Sequence, residues 1–342
     1  MKKVSVTIRD VSARCGLSVS TVSKALNGYA DISEETRNLV HETAAEIGYF
    51  PNAVARALKT NRTYNIGVLF QEESGQGLTH HFFASILDAF KSECGKRGYD
   101  ITFINPSSGG RAMSYLEHCR CRNVDGVCVV CAGYGDPGLH ELVRGDLPCV
   151  TIDFTFDTCS CVVNENRIGV EMLVRYAAEK GHRRIAFIHG QPSPVTSERI
   201  QGWKDALKKH GLEDPPDEYL QPAEFANPAS AYEAMKRLMA LPHPPTCVLA
   251  PDDHAALGVL NAAEELGLKV PEDVSVAGYD GIRLTQMLRP RMTTILQPTV
   301  LIGRTAAGEL IDRLESEQPG SPRVITIPGS LIEGESIGPA KG

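Results

Sequence analysis

The spacing of apolar residues along the chain changes near residue 63. Before this point, apolar residues recur every three or four positions, which is the period of one face of an α-helix. After it, short continuous apolar runs alternate with longer amphipathic stretches. The pattern predicts a small all-helical part followed by a larger part in which strands and helices alternate.

The first two helices of the small part are marked by their terminal residues. Thr7 and Asp10 have the spacing of a capping box at a helix start, and Gly16 suits the helix end. Ser18 is a favourable N-cap for a second helix that reaches about Leu26. Two short helices joined by a tight turn that contains glycine have the arrangement of a helix-turn-helix motif.

A third predicted helix completes a minimal core. Asn27 and Gly28 end the second helix, Ser33 caps the third, and Gly48 closes it. The apolar positions predicted to form the core are Val11, Ala13, Leu17, Val22, Leu26, Leu39, Val40, Ala44 and Ile47. The second helix of such a motif lies in the major groove of DNA, but many small three-helix domains bind no DNA, so the pattern alone leaves both functions open.

The larger part is predicted to be α/β. The apolar runs interpreted as strands are residues 66–70, 101–105, 126–130, 148–153, 184–189, 246–250 and 274–280, followed by a strand and helix in TTILQPTVLIGRTAAGELIDRL and a final strand in VITIPGSLI. The helical stretches between them include 82–97, 165–180, 198–210, 229–240 and 253–266. Alternation of this kind indicates parallel sheets built from βαβ units.

Composition and charge agree with two or more globular domains. Apolar residues make up 42% of the 342 residues and charged residues 23%, which is ordinary globular usage. The net charge of −7 is divided unevenly, with +2 over residues 1–60 and −9 over the remainder. A small basic head on an acidic body is what a DNA-binding protein with a separate sensing domain needs.

The N-terminus does not have the pattern of a signal peptide. Two lysines are followed by Arg9, Asp10 and Arg14, where a signal peptide requires an apolar stretch. No apolar run reaches the roughly 18 residues of a membrane span. The protein is therefore predicted to be cytoplasmic and not to associate with a membrane.

The ten cysteines are predicted to serve as small apolar side chains. A reducing compartment disfavours disulfides, and the close pairs leave zinc binding as the alternative. Cys128 and Cys131 lie in a run that is interpreted as a strand, where residues three apart point to opposite faces. We expect no metal site and no cofactor.

Specific sequence motifs strengthen these predictions. TIRDVSARCGLSVSTVSKALNG, followed by ISEETRNLVHETAAEIGYFPNAVARALKTNRT, resembles the headpiece of the LacI/GalR (lactose-repressor) family, and the rest of the chain is similar to that family as well. The resemblance implies a sequence-specific transcriptional regulator, expected to be a repressor. It also implies a helix-turn-helix headpiece followed by a periplasmic-binding-protein-like core of two doubly wound parallel-sheet lobes.

The resemblance also implies a domain order. Residues 1–50 form the headpiece, and 51–63 form a hinge helix and linker. Residues 64–162 with 293–321 form the first core lobe, and 163–292 with 322–340 form the second. The chain is expected to cross between the lobes near 162–165, 290–293 and 320–324.

The DNA contacts carried over from the family lie on three segments. Val19, Ser20 and Lys24 match the base-reading positions: Val19 can contact a thymine methyl and Lys24 the acceptors of guanine. The predicted phosphate and backbone contacts are Thr7, Ser18, Thr21, Ser23 and Asn27. The segment PNAVARALKT matches the family's hinge helix, which pairs with the hinge helix of the other subunit in the minor groove. The matching residues are Asn52, Ala55, Arg56 and Leu58. Leu58 corresponds to the leucine that inserts between base pairs and kinks the duplex.

Effector binding is expected at the carboxyl ends of the strands. Asp153, Arg199 and Asp280 match the residues with which sugar-binding members hold adjacent hydroxyls. The other lining positions that match are Gln71, Phe82, Phe83, Phe225 and Asp252. Aromatic faces also stack on nucleobases, so a nucleobase-responsive regulator remains the alternative. A turn-closing role for Asp280 and a surface pair of Arg199 with Glu198 are the alternatives that involve no ligand.

Three further features complete the sequence-based picture. QEESGQGLTHH is longer than the family's usual loop and is expected to rim the cleft; its paired histidines, His80 and His81, leave metal binding open. Trp203 is expected in the core. The C-terminal IPGSLIEGESIGPAKG has no leucine heptads, so a homodimer rather than a tetramer is expected, with the helix at 82–97 contributing.

Two functions from other classes compete with this interpretation. A solute-binding protein shares the two-lobed body, but the headpiece and the N-terminal pattern disfavour it. An enzyme is disfavoured because no GxGxxG, P-loop, GxSxG or HExxH motif is present in the sequence. The sequence therefore predicts a regulator that binds a pseudo-palindromic double-stranded operator and a small molecule, expected to be a sugar.

Overall fold

The computed structural model describes residues 6–50, 57, 62–72, 74–108, 110–212, 215–318 and 320–341. The chain divides into two compact units, Met1–Tyr64 and Asn65–Gly342. Among the described residues, no helix is long and apolar enough to cross a membrane. The hinge-helix residues Asn52, Ala55, Arg56 and Leu58 lie outside the described part, so their role stays a prediction.

The first unit contains the three predicted helices, α1 (Ile8–Cys15), α2 (Val19–Leu26) and α3 (Glu34–Ile47). The Asp10 carboxylate accepts hydrogen bonds from the backbone N–H and the hydroxyl of Thr7, both at 2.8 Å. The Ser18 hydroxyl accepts from the backbone N–H of Thr21 at 3.0 Å. Gly16 and Gly48 end their helices with positive φ, as expected for left-handed caps.

Two predicted core positions of the first unit are wrong. Leu39 is 46% exposed and Ala13 is also exposed, whereas Val11, Val22, Val40 and Ala44 are buried as predicted. Leu39 precedes Val40 by one residue, so it points about 100° away from the buried stripe of α3. Ala25, which the prediction omitted, occupies the core instead.

The second unit contains two six-stranded sheets, as the α/β prediction required. The first sheet comprises β1 (Asn65–Phe70), β2 (Asp100–Ile104), β5 (Gly126–Cys131), β6 (Cys149–Ile152), β7 (Ser160–Asn164) and β13 (Val324–Ile327), while β3 (Ser107–Ser108) and β4 (Arg111–Ala112) form a separate hairpin. Its order is β13-β7-β6-β5-β1-β2, and all pairs in it are parallel.

The second sheet repeats this topology. It comprises β8 (Ile185–His189), β9 (Leu220–Pro222), β10 (Cys247–Leu249), β11 (Ser275–Asp280), β12 (Thr293–Leu296) and β14 (Ser330–Ile332). The order is β14-β12-β11-β10-β8-β9, parallel except for the β12–β14 pair. In both sheets the order reverses beside the first strand, which creates the crevice where doubly wound proteins bind ligands.

Helices cover both sheets. They are α4 (His81–Lys96), α5 (Tyr115–Cys121), α6 (Pro137–Val143), α7 (Asn166–Glu179), α8 (Pro194–Lys209), α9 (Pro228–Met239), α10 (Asp253–Glu265), α11 (Arg283–Met287) and α12 (Thr299–Glu315). Helix α8 begins at residue 194 rather than the predicted 198. Pro194 occupies its first turn, and the Ser193 hydroxyl accepts from the Thr196 N–H at 3.1 Å. Trp203 is buried in the core as predicted.

The strand pairing corrects the predicted positions at which the chain crosses between the two lobes. Strand β12 pairs with β11 in the second sheet, so the second crossing lies at 296–299 rather than 290–293. The run VITIPGSLI is two strands in different sheets, which places the third crossing at 327–330 rather than 320–324. Pro328 ends the first of these strands because it has no N–H for the ladder. The first crossing, at 164–166, adjoins the expected position.

Most cysteines pack inside the lobes. Cys94, Cys119, Cys128, Cys149, Cys159, Cys161 and Cys247 are buried, and only Cys121 among the ten is exposed. Burial raises the pKa of Cys94, Cys119 and Cys247 to about 12, so these thiols stay protonated. Their surroundings are those of small apolar side chains.

Candidate functional site

A cavity of about 190 Å³ lies between the two sheets of the second unit, at the carboxyl ends of their strands. Gln71 follows β1, Cys131 ends β5, and Asp153 follows β6. From the other lobe, Gln191 follows β8 and Asp280 ends β11. Both lobes therefore contribute to one site.

All eight predicted effector residues line this cavity: Gln71, Phe82, Phe83, Asp153, Arg199, Phe225, Asp252 and Asp280. They come from separate parts of the sequence, and the fold brings them together. Their role in binding an effector stays a prediction.

Contacts with the protein itself orient the Arg199 side chain. It is only 5% exposed, its Nε donates to Asn166 Oδ1 at 2.8 Å, and one Nη donates to the Pro251 carbonyl at 2.7 Å. The guanidinium stacks on the Tyr279 ring, 3.6 Å from its centroid. The alternative of a surface ion pair with Glu198 is therefore wrong.

Asp153 and Asp280 occupy strained backbone positions at the ends of their strands. Their φ angles are 61° and 106°, values that L-residues rarely adopt. Such strain is found preferentially at functional sites. Asp153 Oδ1 accepts from the Asn164 N–H at 3.3 Å, and Asp280 Oδ1 accepts from Gln297 Nε2 at 2.6 Å.

Burial controls the ionisation of these carboxyls. It raises the pKa of Asp153, while the Asn164 N–H and the Arg199 charge act in the opposite direction. Burial also raises the pKa of Asp280 well above its usual value, and the neighbouring Asp252 adds to this effect. A ligand hydroxyl that donates to either carboxylate, with the guanidinium nearby, favours the ionised form.

Asp252 has a structural function in the described fold. Its Oδ1 accepts from the Ala255 N–H at 2.8 Å and so caps α10. Its Oδ2 accepts from the Ala226 N–H at 2.6 Å, which fixes the loop that carries Phe225. Contact between Asp252 and an effector stays a prediction.

Aromatic rings form the walls of the cavity. Phe83 packs edge-on against Phe82, with ring centroids 5.1 Å apart, and against Phe70 at 5.4 Å. Tyr134 and Phe154, which were not predicted as site residues, stack their rings 6.1 Å apart beside the cavity. Apolar and aromatic walls with a few polar groups are typical of sites for small molecules.

Three polar residues of the site were also missed. Gln297 is 4% exposed and hydrogen-bonds to Asp280, and its Oε1 is buried with no protein partner in the described structure. Gln191 Oε1 accepts from the Phe225 N–H at 2.8 Å. Tyr279 supports Arg199. Gln191 and Gln297 follow apolar strands, and Tyr279 lies in one. This position was the only feature of the sequence that could have identified them as site residues.

The loop at 71–81 contributes Glu72, Ser74 and His80 to the lining, so it does border the cleft. In the part of the chain that the structure describes, no group of three or more His, Cys, Asp or Glu residues is arranged to hold a metal ion.

We predict that Asp253 makes stability depend on pH. This carboxylate, buried under the site, accepts from Ile282 N–H and from the hydroxyls of Thr285 and Thr294. Burial raises its pKa from 3.8 to about 7. Between these two pH values, the folded state keeps Asp253 protonated more often than the unfolded state does. The contribution of Asp253 to the free energy of unfolding is therefore lost as the pH rises towards 7. We therefore expect the free energy of unfolding of Asp253→Asn, measured relative to that of the wild type, to be higher at pH 8 than at pH 5.

Urea denaturation of both proteins at the two pH values measures this difference. Asp146→Asn is the control, because this exposed carboxylate pairs with Arg120, which lowers its pKa, and it stays ionised at both pH values. An equal shift in the two variants would contradict the prediction.

Helix α2 presents the predicted DNA-reading side chains on its outer face. Val22 and Ala25 face the core, whereas Val19 is 42% exposed and Ser20 is exposed. An exposed apolar residue at the N-terminus of this helix is available for contact with a thymine methyl.

The remaining polar residues of α2 are held locally. The Ser18 and Thr21 hydroxyls are 2.8 Å apart, and Asn27 Nδ2 donates to the Ser23 carbonyl at 2.6 Å. The Lys24 ammonium forms an ion pair with Asp31. Contact of Lys24 with a guanine stays a prediction, and it would require this ion pair to break.

Comparison with known proteins agrees with this architecture. Residues 7–52 match the family model described as bacterial regulatory proteins, lacI family, and residues 174–337 match a periplasmic binding protein-like domain. The HTH-type transcriptional repressor PurR of Escherichia coli O139:H28 is 35% identical over 337 residues, which covers 97% of this chain and 96% of PurR. PurR of Salmonella newport has the same identity and coverage.

Solved structures give the same result. The lac repressor dimer bound to operator and the anti-inducer ONPF has a TM-score of 0.77 at 25% identity, covering 97% of this chain and 99% of that one. The CelR–cellobiose complex has a TM-score of 0.71 at 29% identity, with the same coverage. A ribose-bound regulator from Enterococcus faecium has a TM-score of 0.69 at 25% identity, covering 81% and 100%. These relatives are transcriptional regulators rather than enzymes, and the chain belongs to the LacI family of DNA-binding transcriptional regulators with an effector-binding domain.

Proposed function

We propose that this regulator is a repressor that binds a pseudo-palindromic operator as a homodimer and is controlled by a neutral sugar bound between its core lobes. The observation that carries the effector assignment is the convergence of Asp153, Asp280 and Arg199 on one cavity with aromatic walls. Carboxylates accept hydrogen bonds from hydroxyls, and the guanidinium donates to ring or hydroxyl oxygens. A polyhydroxylated ring uses both kinds of group.

The charges in the site support a neutral ligand. Asp153 and Asp280 face a single arginine, and Asp252 and Glu72 add two further carboxyl groups to the same lining. Burial already raises the pKa of Asp153 and Asp280, and an anionic effector beside them would oppose their ionisation further, whereas hydroxyl groups donate to them without this cost. The complexes of CelR with cellobiose and of the Enterococcus faecium regulator with ribose also support a sugar.

A thermal-shift screen of the full chain tests the effector class. Monosaccharides, disaccharides and free nucleobases are compared at matched concentrations, since a ligand that binds only the folded state raises its melting temperature. We expect stabilisation by one or more sugars and none by nucleobases. Stabilisation by a nucleobase alone would refute the sugar assignment and favour the alternative effector.

Lys24 is expected to specify one base pair in each half-site. Lys24→Ala should weaken binding to the cognate operator by about 1–3 kcal/mol and relax the preference at that position. Asp31→Asn removes the negative charge that pairs with Lys24 and should strengthen binding instead. Selection from a randomised operator library, followed by affinity measurement at fixed salt, measures both effects. Unchanged base preference in Lys24→Ala would show that Lys24 contacts only phosphates or solvent.

A dimer is expected in solution. The outward face of α4 carries polar residues such as Asp88 and Lys91, whereas Leu284 and Met287 on α11 are 44% and 68% exposed. The helix at 82–97 stays a predicted contributor to the subunit contact, and the exposed apolar side chains of α11 are further candidates. Light scattering should report twice the chain mass of 37.1 kDa. A monomer, or a tetramer, would contradict this prediction.

A further inference from the structure

A group of three histidines joins the two lobes beside the effector cavity. His80 and His81 precede or begin α4 of the first lobe, and His254 lies in the first turn of α10 in the second lobe. The rings of His81 and His254 stack 5.8 Å apart at an angle of 10°, and those of His80 and His254 are 6.3 Å apart. Imidazoles from opposite lobes are thus in contact.

The segment that carries these histidines makes a second contact across the cleft. Gln76 Nε2 donates to the carbonyl of Ala226, which lies in the loop before α9, at 3.1 Å. Within the first lobe, the Glu72 carboxylate accepts from the N–H groups of Ser74 and Gly77. Residues 74–81, called here the bridging segment, are therefore held in shape at one end and attached to the other lobe.

Two of the three histidines, His80 and His254, are placed where a positive charge is poorly tolerated, whereas His81 is exposed. His80 is 7% exposed, and its Nδ1 is buried without a protein partner in the described structure, as is Nε2 of His254. Burial lowers the pKa of both side chains. Neighbouring charges act on His80 in both directions: Glu72 and Asp252 raise its pKa, and His254 lowers it. For His254, Asp252 raises the pKa and His81 lowers it.

We propose that the bridging segment and His254 form a proton-sensitive latch between the lobes, closed while the imidazoles are neutral and released when they are protonated. Protonation would place like charges on stacked rings from opposite lobes, where repulsion favours separation. The latch borders the cavity through His80, so its release should also weaken effector binding. That last consequence rests on the proposed function, whereas the latch itself does not.

The direction of the pH effect follows from linkage. Opening exposes His80 and His254 to water, which returns their lowered pKa values towards 6.5. The open state therefore binds more protons than the closed state, and the closed state is favoured at higher pH. Closure is lost as the pH falls through about 6.5 and below.

Hydrogen–deuterium exchange of the full chain without ligand tests the latch. Peptides that cover residues 74–84 and 223–228 report its two sides, with labelling times scaled to the intrinsic exchange rate at each pH. In the wild type, protection of both peptides should fall roughly fivefold between pH 8.0 and 5.5, the factor expected for one like-charge contact. His254→Gln should lose this pH dependence. His254→Lys should show low protection at both pH values.

His243→Gln provides a matched control, because this exposed histidine of the same lobe lies outside the contact and should keep the wild-type response. Protection that does not change with pH in the wild type, or a full pH response in His254→Gln, would overturn the latch. Since neither DNA nor effector is present, this result is independent of the effector screen. A failed sugar screen with a pH-dependent latch would reject only the effector assignment.

Discussion

Replacing Arg199 with methionine is expected to reduce effector affinity at least about 100-fold, equivalent to roughly 3 kcal/mol. The substitution keeps most of the side-chain volume but removes the cation that favours ionisation of Asp153 and Asp280. It also removes the fixed donors of a guanidinium held by Asn166 and Pro251. Calorimetry with the sugar that stabilises the wild type most strongly measures the loss.

Two further variants separate binding from folding. Arg199→Lys keeps the charge without the planar fork, so intermediate affinity is expected. Arg175→Met removes an arginine whose side chain is 50% exposed on α7, and it should bind the effector normally. Operator binding without effector should survive in all three proteins. Normal effector affinity in Arg199→Met would show that the Arg199 side chain does not bind the effector.

Gly303→Ala is expected to destabilise the second unit by about 3 kcal/mol, at the upper end of overpacking effects. A Cβ at this position of α12 would lie 2.3 Å from the Ile86 carbonyl oxygen and 3.0 Å from the Phe90 nitrogen. Both atoms belong to the backbone of α4, so no side-chain rotation can relieve the contact. The two helices would have to separate.

Gly308→Ala on the same helix is the matched control. A Cβ at this position would have no neighbouring atom within 4 Å among the described residues. Alanine should therefore stabilise the helix by about 0.5–1 kcal/mol, because glycine loses more backbone entropy on folding. Urea denaturation of the two variants should shift in opposite directions. Equal effects would show that α4 and α12 are not packed as closely as the structure indicates.

Local chemistry made the headpiece predictable from the sequence. Ser18 and Ser33 cap their helices through hydrogen bonds that span three residues, and Gly16 and Gly48 end helices by their own backbone freedom. Such signals depend on neighbours in the chain. The exposure of Leu39 was not predictable in this way, because it depends on how α3 packs against the other helices.

The crossings between lobes show where periodicity stops being informative. An apolar run such as residues 293–296 identifies a strand but does not specify which of two similar sheets receives it. The last run did contain a signal, since Pro328 and Gly329 interrupt it. Gly329 lies close to β12, where a Cβ would be 2.8 Å from the Ile295 side chain.

By itself, the sequence determined the kinds of element, the ends of the strands and the residue types placed there, because capping and periodicity act over a few residues. Together with the resemblance to the LacI/GalR family, these signals predicted Asp153, Arg199 and Asp280 as effector-binding residues. Only the tertiary structure decided which distant side chains meet. Gln297 reaches Asp280, and His81 stacks on His254, because the lobes fold against each other and bring their strand ends to one cleft.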